Sequence, residues 1–461
     1  MGHGTDAILV DPTLHIEFFK RVFDAHRADT AIVWKDRSFT YEWLLERVTF
    51  WETALVQSGI RPREVVALIG DFSPECIAIL LSLIGNENII VPLNNAQHVD
   101  YSEKLGIART DKAIVVNESD EWAVQVFPTT SDHPLYSSLR ANRMAGLVLF
   151  TSGTSGVPKG AVHNFPRLLE KFRTPRRALK TVNFLLFDHW GGLNTMFHTL
   201  SNGGVVLATK DRSPGAICAF VEKYRIELLP ASPTFFRLLL MSEAYRNHDL
   251  SSLQIMTYGT EPMPEFILRK LKTVFPHVRL HQTYGLIELG VLRSKSKSDD
   301  SLWVKVGGDG YQTRVVDGIL QIKADSAMLG YLNAASPFTD DGWFITGDSV
   351  EVDGEYIRIL GRRSELINVG GEKAYPQEIE NIILELENVA DVTVYGEPNS
   401  VVGNIVCARV VLNKPEDNKA FSVRLKQHCR KRMKSFMVPV RIGVLEGAQY
   451  NERFKKIRTQ S

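Results

Sequence analysis

The chain has 461 residues, of which 54 are lysine or arginine and 53 are aspartate or glutamate, so its net charge is +1. This length predicts at least two domains, and the balanced charge argues against a partner among nucleic acids or membrane surfaces. The longest apolar run, residues 77–84, is too short to span a bilayer, and residues 1–6 lack the features of a signal peptide. Four scattered cysteines without a CxxC pair predict reduced thiols and a cytoplasmic location.

Helix and strand signals alternate through the first part of the chain. Residues 41–58 and 74–84 have the apolar spacing of helices, while 65–70 and 89–93 are short β-rich runs. Strand, helix and strand in this order predict a parallel α/β unit. The same alternation recurs further on, with strands predicted at 204–208, 227–230 and 255–259 and a helix at 213–224.

A segment rich in hydroxyl groups and glycine follows the apolar run at 147–150, which is typical of a buried strand. Residues 151–160 contain four hydroxyl side chains, three glycines and one lysine. Glycines let the backbone approach a ligand closely, and hydroxyl and backbone N–H groups donate to anions. The Pro-Lys-Gly ending excludes a Walker A loop. We therefore predict a phosphate-binding loop, with candidate residues Thr151, Ser152, Gly153, Thr154, Ser155, Gly156 and Lys159.

The pattern changes after about residue 300, where short β-rich segments alternate with Asp-Gly turns. A small α/β piece follows Gly361, with a helix predicted at 376–384 and strands at 392–395 and 405–411. We therefore predict a domain boundary near Arg363, giving domains of residues 1–362 and 363–461.

The loop at 150–160 resembles the signature of the adenylate-forming superfamily, which comprises acyl- and aryl-CoA synthetases, nonribosomal-peptide adenylation domains and luciferases. The resemblance extends from about residue 30 to 458 and is closest to acyl- and aryl-CoA ligases. It implies an α/β fold: a large N-terminal α/β domain with a β-rich end, and a small, mobile C-terminal α+β domain that acts as a lid.

Two segments resemble the family's adenine-binding elements. Residues 282–288 are similar to the pattern Tyr-Gly-x-Thr-Glu, which implies that Tyr284 stacks on adenine and Glu288 holds Mg²⁺. Ile287 departs from the usual threonine and removes a hydroxyl contact to the α-phosphate. Residues 258–262 resemble the strand end that lies against adenine. The implied nucleotide-binding residues are Gly259, Thr260, Glu261, Gln282, Thr283, Tyr284 and Gly285.

The ribose and hinge motifs come later in the chain. Residues 342–348 match Gly-Trp-x-x-Thr-Gly-Asp, which implies that Asp348 accepts both ribose hydroxyls. Residues 361–373 resemble the hinge and the loop after it, so Arg362 is expected to contact ribose or phosphate. Ser364 replaces the hinge Asp or Lys of relatives. Two glycines, Gly370 and Gly371, are expected to line the pantetheine tunnel after the lid rotates.

Residues 186–192 resemble the segment that lines the acyl pocket, which places His189 near the reacting carboxylate. Asp188 has two alternatives: it holds the ammonium of an amino-acid substrate, or it orients the loop. The mixture of side chains suits an aryl or medium apolar acid. The expected pocket residues are Asp188, His189, Trp190, Gly191, Gly192, Tyr258 and Leu286.

The family's adenylation lysine, which bridges the carboxylate and the α-phosphate, is assigned by resemblance to Lys455. Phe454 replaces the glycine that usually precedes it, so Lys456 is the alternative. A basic segment at 424–434 either docks an acidic carrier protein or the CoA phosphate, or is an exposed charged face.

Together the motifs predict an AMP-forming acid–thiol ligase that uses ATP and Mg²⁺. It would convert a carboxylic acid to an acyl adenylate and transfer the acyl group to the thiol of CoA. One alternative is a stand-alone adenylation enzyme that loads an acyl or amino acid onto a carrier-protein phosphopantetheine. The other is a non-catalytic nucleotide-binding homologue, for which Ile287, Ser364 and Phe454 are the only support.

Overall fold

The computed structural model describes residues 16–95, 100–129, 131–152 and 157–445. The helices in this part of the chain are α1 (Glu17–Ala25), α2 (Tyr41–Gln57), α3 (Pro74–Gly85), α4 (Ser102–Ala108), α5 (Pro134–Ala141), α6 (Phe165–Leu169), α7 (Trp190–Leu200), α8 (Pro214–Tyr224), α9 (Pro233–Ser242), α10 (Glu265–Val274), α11 (Pro376–Leu384) and α12 (Asn418–Arg430).

The strands, in chain order, are β1 (Thr30–Trp34), β2 (Arg37–Thr40), β3 (Val65–Gly70), β4 (Ile89–Asn94), β5 (Lys112–Val116), β6 (Trp122–Val126), β7 (Gly146–Ser152), β8 (Pro158–Asn164), β9 (Lys180–Asn183), β10 (Val205–Ala208), β11 (Leu228–Ala231), β12 (Ile255–Tyr258), β13 (Arg279–Gln282), β14 (Tyr284–Leu286), β15 (Gly290–Leu292), β16 (Ser294–Ser296), β17 (Val304–Val306), β18 (Tyr311–Val316), β19 (Ile319–Ala324), β20 (Gly330–Tyr331), β21 (Phe344–Asp353), β22 (Tyr356–Arg362), β23 (Ile367–Val369), β24 (Glu372–Ala374), β25 (Val389–Asn399), β26 (Gly403–Leu412) and β27 (Arg441–Leu445).

Two seven-stranded sheets form the larger part of the molecule. One has the order β13-β12-β11-β9-β10-β1-β2, and the other has the order β20-β8-β7-β4-β3-β5-β6. Strands β9 to β13 and β1 are parallel, as are β7, β4, β3 and β5. In the second sheet β3 and β4 are nearly continuous apolar runs, which is typical of parallel strands covered on both faces.

Helix α3 joins the two sheets into one core. Every residue from Pro74 to Ile84 is buried, and its cluster includes Ile32 and Val206 from one sheet and Val66 from the other. A helix that is apolar on all sides must be enclosed on all sides. Ser73 caps its first turn by accepting from Cys76 N, and proline occupies the first helical position.

A six-stranded antiparallel sheet, β16-β17-β22-β21-β19-β18, follows, together with the β14–β15 hairpin. The last sheet contains β23 to β27 and packs against α11 and α12 around its own apolar cluster, which includes Val392, Val410 and Phe421. Between these two sheets lies a short 3-10 helix, Arg363–Glu365, at the position predicted for the domain boundary.

The helices predicted at 41–58 and 74–84 correspond to α2 and α3, and the strands predicted at 65–70 and 89–93 correspond to the parallel neighbours β3 and β4. All four cysteines are buried and free. Among the helices of the described ranges, none combines the length and the apolar character needed to cross a bilayer.

Candidate active site

A cavity of about 650 Å³ opens at the carboxyl ends of the parallel strands of the first sheet. Ligands bind at this edge in open parallel sheets because the loops that leave the strands converge there. Cavity-lining residues directly follow four of the strands: Phe184, Leu185 and His189 after β9, Ser232 and Pro233 after β11, Gly259, Thr260 and Glu261 after β12, and Thr283 after β13.

The turn after β12 is shaped by close backbone approach. A Cβ added to Gly259 would lie 2.4 Å from Thr283 Oγ1 and 2.7 Å from Thr283 O, so no side chain fits there. Thr260 has φ +72°, which is uncommon for a residue other than glycine. Glu261 accepts from Thr234 N at 2.8 Å, so its carboxylate lies at the N-terminus of α9. These contacts fix the backbone of the turn at which the adenine site is predicted.

Tyr284, Asp348 and Arg362 form a hydrogen-bonded group in the cavity wall. The Tyr284 hydroxyl donates to Asp348 Oδ2 at 2.6 Å, and Arg362 Nε lies 2.8 Å from Asp348 Oδ1. Asp348 and Arg362 are opposite each other in the β21–β22 pair. Burial and then the charge of Asp348 raise the pKa of Tyr284 well above its usual value, so the phenol stays protonated. Asp348 is thereby oriented as an acceptor, the role predicted for ribose binding.

Glu288, Tyr331 and Lys159 line another part of the same cavity. The Tyr331 hydroxyl donates to Glu288 Oε1 at 2.6 Å, and Lys159 Nζ lies 5.7 Å from the centre of the Tyr331 ring. Burial and then the charge of Glu288 raise the pKa of Tyr331 above its ordinary value. Thr151 lines the cavity beside them. A carboxylate, a hydroxyl and an ammonium therefore line the cavity near the end of β7, where the predicted phosphate-binding loop begins.

His189 is the N-cap of α7, and its Nδ1 accepts from Gly191 N at 3.1 Å. In the neutral ring the proton must then be on Nε2. Trp190, Gly191 and Leu286 line the cavity near His189, as predicted for the acyl pocket. The part of the cavity predicted to bind the acyl group therefore combines apolar side chains with one imidazole.

Three residues predicted for the acyl pocket do not line the cavity. Asp188 lies 3.6 Å from Lys104 Nζ, on helix α4. A Cβ on Gly192 would meet Leu186 O at 2.4 Å, because this residue lies on the face of α7 that packs into the core. Tyr258 is 2 % exposed, because side chains alternate along β12 and it is the adjacent Thr257 that faces the cavity.

Some of the remaining predicted residues lie away from the cavity or outside the described residues, and the others line the cavity. Gly370 and Gly371 form the exposed β23–β24 turn and do not line the cavity in this structure. Residues 153–156 of the phosphate-binding loop lie outside the described residues, as do both candidate lysines, Lys455 and Lys456. The described cavity lining includes these predicted residues: Thr151, Lys159, Gly259, Thr260, Glu261, Gln282, Thr283, Tyr284, Gly285, Asp348 and Arg362.

Sequence reasoning missed several residues that contribute to the cavity. Tyr331, Arg237 and Asn194 line it. Lys171 does not line it but donates a hydrogen bond to Asn194 Oδ1. Only Asn194 had a detectable signal, because it follows His189 by five positions on a helix whose first turn was already assigned to the pocket. The others come from segments that no motif marked.

Comparison with known proteins gives two family matches. Residues 99–331 match the AMP-binding enzyme family, and residues 378–455 match the AMP-binding enzyme C-terminal domain. The chain is 29% identical to the indoleacetate–CoA ligase of Aromatoleum aromaticum over 439 residues, covering 83% of this chain and 85% of that protein. It is 26% identical to the 2-succinylbenzoate–CoA ligase of Listeria monocytogenes, covering 91% and 92%.

Solved structures confirm the predicted fold class. The anthranilate CoA ligase AuaEII, in complex with anthranoyl-AMP, superposes with a TM-score of 0.81 at 19% identity, covering 96% of this chain and 95% of that chain. The o-succinylbenzoate CoA synthetase MenE of Bacillus subtilis gives a TM-score of 0.77 at 20% identity, with 96% of each chain covered. At these identities the likeness concerns the fold.

Proposed function

The chain belongs to the AMP-binding enzyme family, and from that premise we propose that it is an AMP-forming acid–thiol ligase. In the first step a carboxylate oxygen of the acid attacks the α-phosphorus of ATP, forming an acyl adenylate and releasing pyrophosphate. In the second step the thiol of CoA attacks the acyl carbonyl carbon, giving a thioester and AMP. The acid is an aryl or medium-sized acid with an apolar body.

One observation carries this proposal: a single cavity contains both the nucleotide-type groups and an acyl-type wall. Asp348, held by Tyr284 and Arg362, is oriented to accept from vicinal hydroxyls. Trp190 and Leu286 line the same cavity and offer apolar surface. A carboxylic acid and ATP bound there would have their reacting ends side by side, which is the main requirement for an in-line transfer.

The residues present fit a magnesium ion bound with the nucleotide. Glu288 and Thr151 offer a carboxylate and a hydroxyl in the cavity, and Mg²⁺ prefers oxygen ligands that it shares with phosphates and water. When bound there, the ion would offset phosphate charge. Glu288 has its Oε1 occupied by Tyr331, which leaves Oε2 as the oxygen for a metal.

The chain's own residues would act mainly by positioning and charge. His189 would donate from Nε2 to the acid carboxylate and orient it, because its Nδ1 is already occupied. Lys159 would pair with the departing pyrophosphate, close to the loop that follows β7. Lys455 is proposed to bridge the carboxylate and the α-phosphate. The lid would then rotate about Ser364 and bring Gly370 and Gly371 to the thiol entrance.

The acceptor proposed here is CoA itself. The basic segment at 424–434 is partly engaged within the protein, since Arg424 pairs with Glu416 and Lys426 donates to Val440 O at 2.8 Å. These contacts favour an exposed charged face over a docking site for either a carrier protein or the CoA phosphate. An amino-acid substrate held by Asp188 has no support from the geometry, because that carboxylate faces Lys104 outside the cavity.

Acid-dependent ATP–pyrophosphate exchange tests the first step, and CoA-dependent AMP release with the same acid tests the second. We expect both with aryl or medium-chain acids and no exchange without acid. A phosphopantetheinylated carrier protein should be tested in place of CoA. Binding of ATP without exchange for any acid in a broad panel would overturn the proposal and favour the non-catalytic alternative.

A further inference from the structure

Lys171 lies behind the wall of the cavity, on the side proposed to bind the acid, and its ammonium contacts two residues of that wall. Lys171 belongs to a short 3-10 helix, Glu170–Arg173, that follows α6. Its Nζ donates to Asn194 Oδ1 and, at 2.8 Å, to Val291 O. Asn194 and Val291 both line the cavity, on α7 and β15. Lys171 therefore contacts two residues of the cavity wall, through the side chain of Asn194 and the backbone carbonyl of Val291.

This lysine has cations but no carboxylate around it. Burial, with a smaller contribution from the charge of Arg293, lowers the pKa of Lys171 to about 7. Burial also lowers the pKa of His198 to about 4, with smaller effects from Lys171 and Arg176. Within the part of the chain that the structure describes, Lys171 forms no ion pair, and its hydrogen bonds go to an amide and a backbone carbonyl. A buried ammonium without an anion is costly, so this site favours an anionic ligand.

The contact with Lys171 also determines how Asn194 faces the cavity. An ammonium only donates, so Asn194 must present Oδ1 to Lys171, and its NH₂ group then faces away from it. Asn194 Nδ2 makes no hydrogen bond to the described residues, and Asn194 lines the cavity. The wall therefore offers an amide donor supported from behind by positive charge, a suitable environment for a carboxylate oxygen.

We propose that the acid activated by this enzyme carries a second carboxylate at its far end, which Asn194 binds and Lys171 positions. The inference rests on the proposed function and refines its substrate class to dicarboxylic acids with an apolar middle. One carboxylate reacts beside His189, while Trp190 and Leu286 contact the apolar middle. The second carboxylate accepts from Asn194 Nδ2 and supplies the anion that Lys171 lacks.

A purely structural role for Lys171, joining the 3-10 helix to α7 and β15, would produce the same two hydrogen bonds. The two roles differ in their effect on substrate choice. A structural lysine affects all acids alike, because it only keeps the wall in place. A positioning lysine affects the ratio between a diacid and its matched monoacid, because only the diacid has the second carboxylate.

The test compares kcat/KM in acid-dependent pyrophosphate exchange for matched pairs: benzoic with terephthalic acid, and octanoic with suberic acid. Wild-type protein should prefer at least one diacid by about tenfold or more, since a site built for a polar group rejects analogues that lack it. Lys171→Met should reduce that ratio by about tenfold, and Asn194→Asp should reverse it by presenting a competing carboxylate. Lys180→Met, at an exposed lysine on β9, should keep the wild-type ratio.

Four outcomes count against the inference. Monoacids that equal or exceed both diacids would overturn it, as would an equal loss for both acids in Lys171→Met. Exchange with monoacids alone would leave the proposed ligase function intact while removing the dicarboxylic class. Exchange with no acid at all would remove the proposed function itself, and the inference with it.

Discussion

Arg237 and Asp391 form a buried ion pair between helix α9 and strand β25, although 154 residues separate them in the chain. Each side chain is 3 % exposed, and Arg237 Nη2 lies 2.8 Å from Asp391 Oδ2. Arg237 also lines the cavity. The pair therefore joins the C-terminal sheet to the large domain in an arrangement where Gly370 and Gly371 do not line the cavity. Rotation of the lid would have to break it.

We expect Asp391→Asn to lower the free energy of unfolding by about 3 kcal/mol or more, because it leaves a buried guanidinium without its counter-charge. Replacing both partners, Arg237→Met with Asp391→Leu, should recover most of that loss. Denaturant unfolding of the single and double variants measures the coupling. The exposed pair Arg225–Asp249 is the control: Asp249→Asn should cost less than about 1 kcal/mol. Equal losses at both sites would contradict the buried pair's role.

Gly259→Ala is expected to weaken ATP binding. The new Cβ would overlap both the hydroxyl and the backbone oxygen of Thr283, and such overpacking costs about 1–3 kcal/mol. Because Gly259 lines the cavity, we expect the KM for ATP in pyrophosphate exchange to rise about tenfold or more. Gly215→Ala on α8 is the matched control, since nothing lies within 4 Å of its Cβ position. An unchanged KM in Gly259→Ala would remove this turn from the nucleotide site.

Much of this site could be predicted because its residues lie in short motifs at strand ends. The Asp348 and Tyr284 motifs are far apart in sequence, yet each was recognisable alone, and the structure brings the two side chains to 2.6 Å. The predictions were wrong where every residue of a motif was expected to face the cavity. Alternation along β12 turns Tyr258 into the core, and the helical repeat of α7 does the same to Gly192.

Other features could not be predicted, because they depend on contacts between distant segments. Lys171 and Asn194 are 23 positions apart and meet only when the 3-10 helix packs against α7. Tyr331 reaches Glu288 because β20 pairs with β8 at the edge of the second sheet. No local pattern encodes these pairings. Sequence reasoning therefore found more of the cavity-lining residues that are proposed to bind the nucleotide than of those proposed to bind the acid.

Asp348→Ala is expected to remove recognition of the ribose hydroxyls. Wild-type protein should use ATP better than 2′,3′-dideoxy-ATP, since hydrogen bonds to a charged acceptor contribute about 1.5–3 kcal/mol. In Asp348→Ala the two nucleotides should have nearly equal kcat/KM in pyrophosphate exchange. Asp353→Ala, at the exposed end of the same strand, should retain the wild-type preference. A variant at position 348 that still discriminates between the nucleotides would assign ribose binding to another residue.

Acid should destabilise the fold through a buried histidine. Burial lowers the pKa of His163 to about 4, from 6.5 in an exposed histidine. The unfolded chain therefore binds more protons between pH 6.5 and 4, and the free energy of unfolding falls as pH falls through that window, by at most about 3 kcal/mol from this group. In His163→Gln the fall should be smaller, whereas the exposed His277→Gln should leave it unchanged. Equal pH dependence in both variants would contradict this account.

Lys455 and Lys456 are the two candidates for the lysine of the adenylation step. If Lys455 bridges the carboxylate and the α-phosphate, Lys455→Ala should lose acid-dependent pyrophosphate exchange by about a hundredfold or more, the loss typical for removal of one group that stabilises transition-state charge. It should still convert supplied acyl adenylate and CoA to the thioester, because no bond to the α-phosphorus forms or breaks in the second step. Lys456→Ala is the matched control and should retain both half-reactions. The opposite pattern would assign the role to Lys456. Loss of both half-reactions in Lys455→Ala would show that this residue supports the active site as a whole and does not act in adenylation alone.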